Sequence, residues 1–154
     1  SRLVTLCSDL SLGSFWDVYC GAGNLSLRLA ASGMSGGGVE INAEAIDAAQ
    51  RTVSRWTERV VYRVANARDE MALPSFRPDI VIANPPRAGL KQAGVRQIDA
   101  LAADHVFLMS CSLESLQRDL KGLMSAGYVV EDIRAYDMFP FTDHLETTVL
   151  ARRP

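Results

Sequence analysis

Apolar residues in this chain fall into two spacings that take turns along its length. Short runs rich in β-branched and aromatic residues recur at 14–19 (Phe15, Trp16, Val18, Tyr19), 37–40, 59–65 (Val60, Val61, Tyr62, Val64), 79–83 and 105–110, and each reads as a strand. Between them the apolar positions switch to helical spacing. Leu3, Val4, Leu6, Cys7 and Leu10 do so within 1–10, the leucines and alanines of 25–31 follow, and Ala45, Ile46, Ala49 and Val53 form one face of 43–55. Residues 91–103 and 113–125 are two further helices. Asn42 and Ser112 stand where N-caps belong, and Gly127 closes the last helix. A short helical turn is expected at 69–73, before Pro74. Residues 128–130 and 133–136 together give a sixth strand and 147–152 a seventh. The link between them, 137–146, is too short for a crossover helix, so the two should run antiparallel.

This alternation predicts a doubly wound, Rossmann-like α/β fold: a mostly parallel seven-stranded sheet with an antiparallel last strand and helices on both faces. No repeat, low-complexity tract or linker interrupts the 154 residues, so residues 1–154 are expected to form one domain.

The chemistry gathers at strand ends. Asp17-Val18-Tyr19-Cys20-Gly21-Ala22-Gly23-Asn24 is a strand, a glycine turn and the start of a helix. Gly21 and Gly23 let backbone approach a ligand with no Cβ in the way. Glu40 ends the next strand about 20 residues on, where a carboxylate can accept both hydroxyls of a ribose. The turn has no GxGxxG and no lysine for a phosphate. A nucleoside without a pyrophosphate fits better than a dinucleotide, and S-adenosylmethionine leads; the competing reading is a glycine turn of structural use alone. Asn84-Pro85-Pro86-Arg87 leaves the fourth strand extended, since each proline bars the residue before it from the helical region. Cys111 ends the fifth strand, and the 137–146 loop should arrive near the same edge.

Composition narrows the setting. The net charge of −2 argues against a strongly electropositive nucleic-acid surface in this chain, leaving RNA to a local groove or another domain. Three cysteines without a CxxC pair, beside two histidines, suit neither a disulfide framework nor zinc, and no metal is expected. The thiols should be reduced, as in cytoplasm. No signal peptide or membrane-length apolar run is visible.

With these residues in view, the chain resembles the RNA uracil-5 methyltransferases, which use S-adenosylmethionine. The likeness rests on DVYCGAGN at 17–24, GVE at 38–40, PPRAG at 85–89, SC at 110–111 with RD at 118–119, and DMFP and HLE at 137–140 and 144–146. It implies a class I methyltransferase fold acting on tRNA or rRNA, in a monomer. Cys111 matches the family's nucleophile and Glu146 its general base. Tyr19, Asn24, Glu40, Asn66 and Asn84 match positions that contact the methyl donor, beside Asp17, Gly21 and Gly23 of the turn. Arg87 and Phe139 are expected to meet the substrate, Arg87 through an anion or an RNA phosphate. Uracil C5 is a poor nucleophile, so the chemistry needs a thiolate to add at C6 and a base to take the C5 proton afterwards. The target base must leave its stack to reach such a pocket.

The chain departs from the family pattern at three places. Asn84 stands where aspartate is usual, Ser112-Leu113 where Asn-Pro usually follows the nucleophile, and the tyrosine expected before the Ser-Cys pair is replaced within Leu108-Met109-Ser110. Family members also carry an amino-terminal RNA-binding portion, so the catalytic domain alone is expected here. Two other readings stay open. Asn84-Pro85-Pro86 suits an amino-group methyltransferase, although Arg87 stands where such enzymes have an aromatic residue. The third is a non-catalytic donor-binding or RNA-modification accessory domain.

Overall fold

A computed structural model of the chain describes residues 2–69, 73–137 and 145–154. Its elements are α1 (Arg2–Asp9), β1 (Ser14–Val18), α2 (Ser26–Ala31), β2 (Ser35–Glu40), α3 (Ala43–Val53), β3 (Val60–Val64), β4 (Ile80–Ala83), α4 (Lys91–Leu101), β5 (His105–Ser110), α5 (Leu113–Ser125), β6 (Val129–Tyr136) and β7 (Glu146–Arg152). The strands form one sheet in the order β3-β2-β1-β4-β5-β7-β6. Neighbours from β3 to β5 pair parallel, and β7 runs antiparallel to both β5 and β6. The strand order turns back on itself between β1 and β4, and ligands of doubly wound sheets bind outside the carboxyl ends at such a switch point.

Strand alternation sorts the core onto two faces. Val81, Val106 and Leu108 meet Leu90, Val95, Ile98, Leu116 and Leu123 of α4, α5 and the loop before α4. Phe15, Ile80, Ile82 and Phe107 meet Leu3, Leu29, Ile46 and Val53 from α1, α2 and α3. Each such side chain, fully buried, contributes about 1.5–3 kcal/mol. Asn42 caps α3 as its sequence suggests, its Oδ1 accepting from the N–H groups of Glu44 (2.9 Å) and Ala45 (3.2 Å). The Ser112 hydroxyl caps α5 through the Ser115 N–H at 3.4 Å.

Three boundaries differ from the sequence reading. β2 begins at Ser35, not Gly37, because its glycines are strand residues in a crowded sheet: a Cβ on Gly36 would lie 2.1 Å from the Phe15 carbonyl oxygen, and one on Gly37 1.9 Å from that of Val61. β6 runs unbroken from Val129 and absorbs an irregular register between Val130 and Asp132. Glu146 is already the first residue of β7. The turn expected at 69–73 lies partly, and the 137–146 loop mostly, outside the described residues.

Candidate active site

The chain leaves β1 through a left-handed residue. Tyr19 has φ 68°, and Gly21 and Gly23 follow with φ 53° and 83°. A tyrosine in that region is costly and persists only where its surroundings hold it. The Cys20 N–H donates to the Val39 carbonyl (3.1 Å) and the Gly23 N–H to that of Cys20 (2.8 Å), so the turn is tied to β2 and to itself. A Cβ on Gly23 would stand 2.9 Å from Leu27 Cγ, whereas one on Gly21 would meet nothing within 4 Å. Gly23 packs against the helix, and Gly21 faces open space.

Glu40 joins the two strand ends. Its Oε1 accepts from the N–H groups of Ile41 (2.8 Å) and Asn42 (3.0 Å), and its Oε2 from that of Gly21 at 3.3 Å. A carboxylate has about four acceptor positions, so roughly one remains for a ligand hydroxyl. Beneath this turn lies Asp17, only 1% exposed. Burial pushes its carboxyl up to about 7, against the pull of hydrogen bonds from Ser26 and with a further push from the charge of Glu40. Ser26 also accepts from the Tyr62 hydroxyl at 3.0 Å. Burial, then the charges of Asp17 and Glu40, push the Cys20 thiol above its ordinary range, so it stays protonated and unreactive.

Tyr19, Glu40, Ile41, Asn66, Ala67, Arg68, Asn84 and Pro86 line a cleft of about 450 Å³ over the ends of β1, β2 and β4. Ile41 is 70% exposed, so it presents an apolar face to this cleft. The Tyr19 hydroxyl is buried and lacks a hydrogen-bond partner among the described residues. Asn66 Oδ1 accepts from the Arg68 N–H at 3.1 Å, which leaves its NH₂ group for a ligand. A part-used carboxylate, an amide and an apolar wall fit a nucleoside bearing an amino-acid tail.

The loop from Asn84 to Lys91 is fastened from α5. Asp119, 2% exposed, accepts from the N–H groups of Leu90 (2.7 Å) and Lys91 (3.2 Å). Arg118 donates to the Ala88 carbonyl at 2.6 Å. Gly89 has φ 74°, and a Cβ there would lie 2.3 Å from Asp119 Oδ2. The Arg-Asp pair thus sets the loop that carries Asn84 and Pro86 into the cleft.

A second corner forms where β5 meets β7. Ser110 pairs with Thr147, and beyond that pair stand Cys111, one position on, and Glu146, one position back. Phe107 and Met109 belong to the α1–α3 face, and Cys111 continues their alternation. The Ser110 hydroxyl donates to the Ser112 carbonyl (3.0 Å) and accepts from the Ser112 N–H (3.2 Å), bracing the turn that leaves Cys111 exposed. Glu146 lines a pocket of about 240 Å³ with Leu3, Leu25, Phe107, Met109, Tyr136, Thr148 and Arg2. Its Oε2 is buried there with no hydrogen-bond partner among the described residues.

Sequence comparison decides the family. The tRNA (uracil-5-)-methyltransferase profile matches residues 4–154. The chain belongs to that family. It is 33% identical over 147 residues to the 23S rRNA (uracil(747)-C(5))-methyltransferase RlmC of Pectobacterium atrosepticum, covering 95% of this chain and 39% of that protein. Its identity to the Vibrio cholerae protein of the same name is 34%, over 94% and 39%. The chain therefore spans about two fifths of the length of these relatives. Among solved structures, it superposes on the Pyrococcus abyssi tRNA (uracil-54, C5)-methyltransferase in complex with S-adenosyl-L-homocysteine with a TM-score of 0.80 at 30% identity, covering 97% of this chain and 38% of that one. Magnesium protoporphyrin IX methyltransferase from Synechocystis, at 17% identity and a TM-score of 0.77, shares the fold, a class I methyltransferase architecture.

Against this family frame, the expected donor residues divide. Tyr19, Glu40, Asn66 and Asn84 line the cleft. Gly21 shapes it through its N–H on Glu40, Gly23 packs against α2, and exposed Asn24 stands outside the lining. Asp17 corrects the expectation of a donor contact: it is enclosed below the turn, because the strand's alternation turns it toward Ser26 and away from the cleft. Arg87 is exposed beside the cleft, and Phe139 lies outside the described residues. Cys111 and Glu146 flank the last β5–β7 pair, Ser110 with Thr147, apart from the cleft lining. Ile41 and Asp119 were missed as site residues. An apolar residue between a strand-end carboxylate and a helix cap was the available signal for Ile41, whereas Asp119 was visible as a motif but not in its task. Among the described residues no helix is long and apolar enough to cross a membrane.

Proposed function

We propose that this chain is the methyl-transfer domain of an RNA uracil-5 methyltransferase that uses S-adenosylmethionine and a covalent cysteine adduct. The observation that supports the reading is the β5–β7 register, whose last pair, Ser110 with Thr147, is flanked by Cys111 and Glu146 at the sheet edge of the donor cleft. The donor, when bound, supplies a methyl group on a sulfonium. Glu40 would hold the ribose with its remaining acceptor position, the exposed Ile41 would cover a face of the adenine, Asn66 would meet its edge, and Asn84 would face the methionine end.

Cys111 would begin the reaction by adding its thiolate to C6 of the uracil, moving the ring electrons into an enolate. That makes C5 nucleophilic enough to take the methyl group. Glu146 would then remove the C5 proton, and the electrons left behind would expel the Cys111 thiolate and restore the 5,6 double bond. Neither residue is consumed, and the product base carries one methyl group in place of one hydrogen.

The names of the curated relatives favour ribosomal RNA, and that of the Pyrococcus neighbour transfer RNA. Methylation assays of the whole gene product on both RNA classes separate the two. Trapping on 5-fluorouridine RNA tests the chemistry, since fluorine at C5 cannot leave as a proton. A donor-dependent protein–RNA adduct that survives denaturation is expected. Methylation of an exocyclic amine, or donor binding with no adduct and no turnover, would replace the reading with one of its two rivals.

A further inference from the structure

The chain's net charge hides a local surplus. Both of its lysines, Lys91 and Lys121, stand on the flank formed by α4 and α5, with Arg87, Arg96 and Arg118. Lys91, Arg96 and Arg118 line a groove of about 450 Å³ between the two helices, as large as the donor cleft. Lys121 stands on its rim on α5, and Arg87 leads toward it from the loop before α4.

The nearby acids are largely spent. Asp119 is buried, with its oxygens on the N–H groups of Leu90 and Lys91 and on Arg118. Asp99, at the far end of the groove, is held by Arg153 at 2.5 Å. Glu114 is exposed on the first turn of α5, outside the groove lining. Arg87, Lys91, Arg96 and Lys121 have no carboxylate in ion-pair reach among the described residues.

Position gives the groove its meaning. α5 starts two residues after Cys111, and Arg118 lies about one and a half turns along it, about 7.5 Å by helix rise. The loop from Asn84 to Lys91 carries the donor cleft on one side and Arg118 and Lys91 on the other. α4 and α5 both start at the carboxyl edge of the sheet, the edge that carries the donor cleft, so a polyanion lying in the groove has one end at that edge.

We propose that the α4–α5 groove seats the phosphodiester backbone of the RNA strand that carries the target uridine. The assignment rests on the RNA reading above and deepens it: the catalytic domain itself grips the strand next to the reacting base. Cationic grooves that track a single strand bind through phosphates and show it as a salt dependence.

The test uses the whole gene product, an RNA oligonucleotide that it methylates, and the double variant Arg96→Gln/Lys121→Gln. Binding is followed from 50 to 200 mM salt. Losing two phosphate contacts should flatten the slope of log affinity against log salt by about 1.4 and weaken binding several-fold. Arg51→Gln/Arg55→Gln on the α3 side is the matched control and should leave the slope alone. Arg96→Lys/Lys121→Arg should restore it, and calorimetry with S-adenosylmethionine verifies the fold of each variant. Equal slopes in wild type and the groove variant, or equal flattening in both double variants, overturns the groove. Failure of the wild type to methylate any uridine RNA overturns instead the reading on which the groove rests.

Discussion

The donor cleft and the Cys111–Glu146 corner sit at one edge of one sheet but are built differently. The cleft is made of backbone: a left-handed Tyr19, an open Gly21, and a Glu40 carboxylate held by three N–H groups. The corner is made of register, with Cys111 and Glu146 flanking the last pair of the antiparallel β5 and β7. A cleft fixed by many hydrogen bonds shares its shape among several groups. A corner fixed by register depends wholly on the two residues placed there. Binding and chemistry should therefore come apart under mutation.

The largest effect should fall on the corner. Cys111→Ala is expected to abolish methylation while S-adenosylmethionine binds as in the wild type, which calorimetry beside a turnover assay checks. Parallel loss of both would show that the two regions are one unit. Glu40→Ala should do the reverse. Losing a charge-assisted hydrogen bond costs about 1.5–3 kcal/mol, so donor affinity should fall roughly ten- to a hundredfold with the fold intact. Unchanged affinity would remove Glu40 from the site.

Asp119→Ala probes the strut between the regions. It leaves the Leu90 and Lys91 N–H groups unpaired, at a cost of about 1–3 kcal/mol. At about 2–4 °C per kcal/mol for a domain of this size, thermal melting should detect it. Donor affinity should weaken too, because the same loop carries Asn84 and Pro86. Destabilisation with no change in donor binding would confine Asp119 to stability.

The smallest effect concerns pH. The Asp17 carboxyl titrates at about 7 when folded and near 3.9 when unfolded, so the folded state holds the extra proton. Its stabilising contribution is complete below about pH 4 and is lost as pH rises through 7. Melting temperature should fall from pH 5 to 8, and Asp17→Asn should flatten that fall. An unchanged pH profile in the variant would place the titration elsewhere.

Much of this was legible in the sequence because it was local. The caps Asn42 and Ser112, the strand–glycine–helix unit and the antiparallel end of the sheet each follow from neighbouring residues and loop length. What was not legible depends on partners distant in the chain. Gly36 falls outside the strand read at 37–40 until the Phe15 oxygen is found where its Cβ would be. The Arg118-Asp119 pair reads as a companion of Cys111, yet its contacts are with Ala88, Leu90 and Lys91. Asp17 reads as a ligand residue because it adjoins the turn, and only packing against Ser26 turns it inward.

Of all measurements, one addresses the covalent chemistry without a substrate analogue. The Glu146→Gln variant of the whole gene product, given ordinary uridine RNA and S-adenosylmethionine, should add Cys111 to C6 and take the methyl group at C5, then stall with the C5 proton in place. A denaturation-resistant protein–RNA complex should accumulate on a gel, and Cys111→Ala combined with Glu146→Gln should erase it. Full turnover by Glu146→Gln, or a complex that persists without Cys111, would contradict the account.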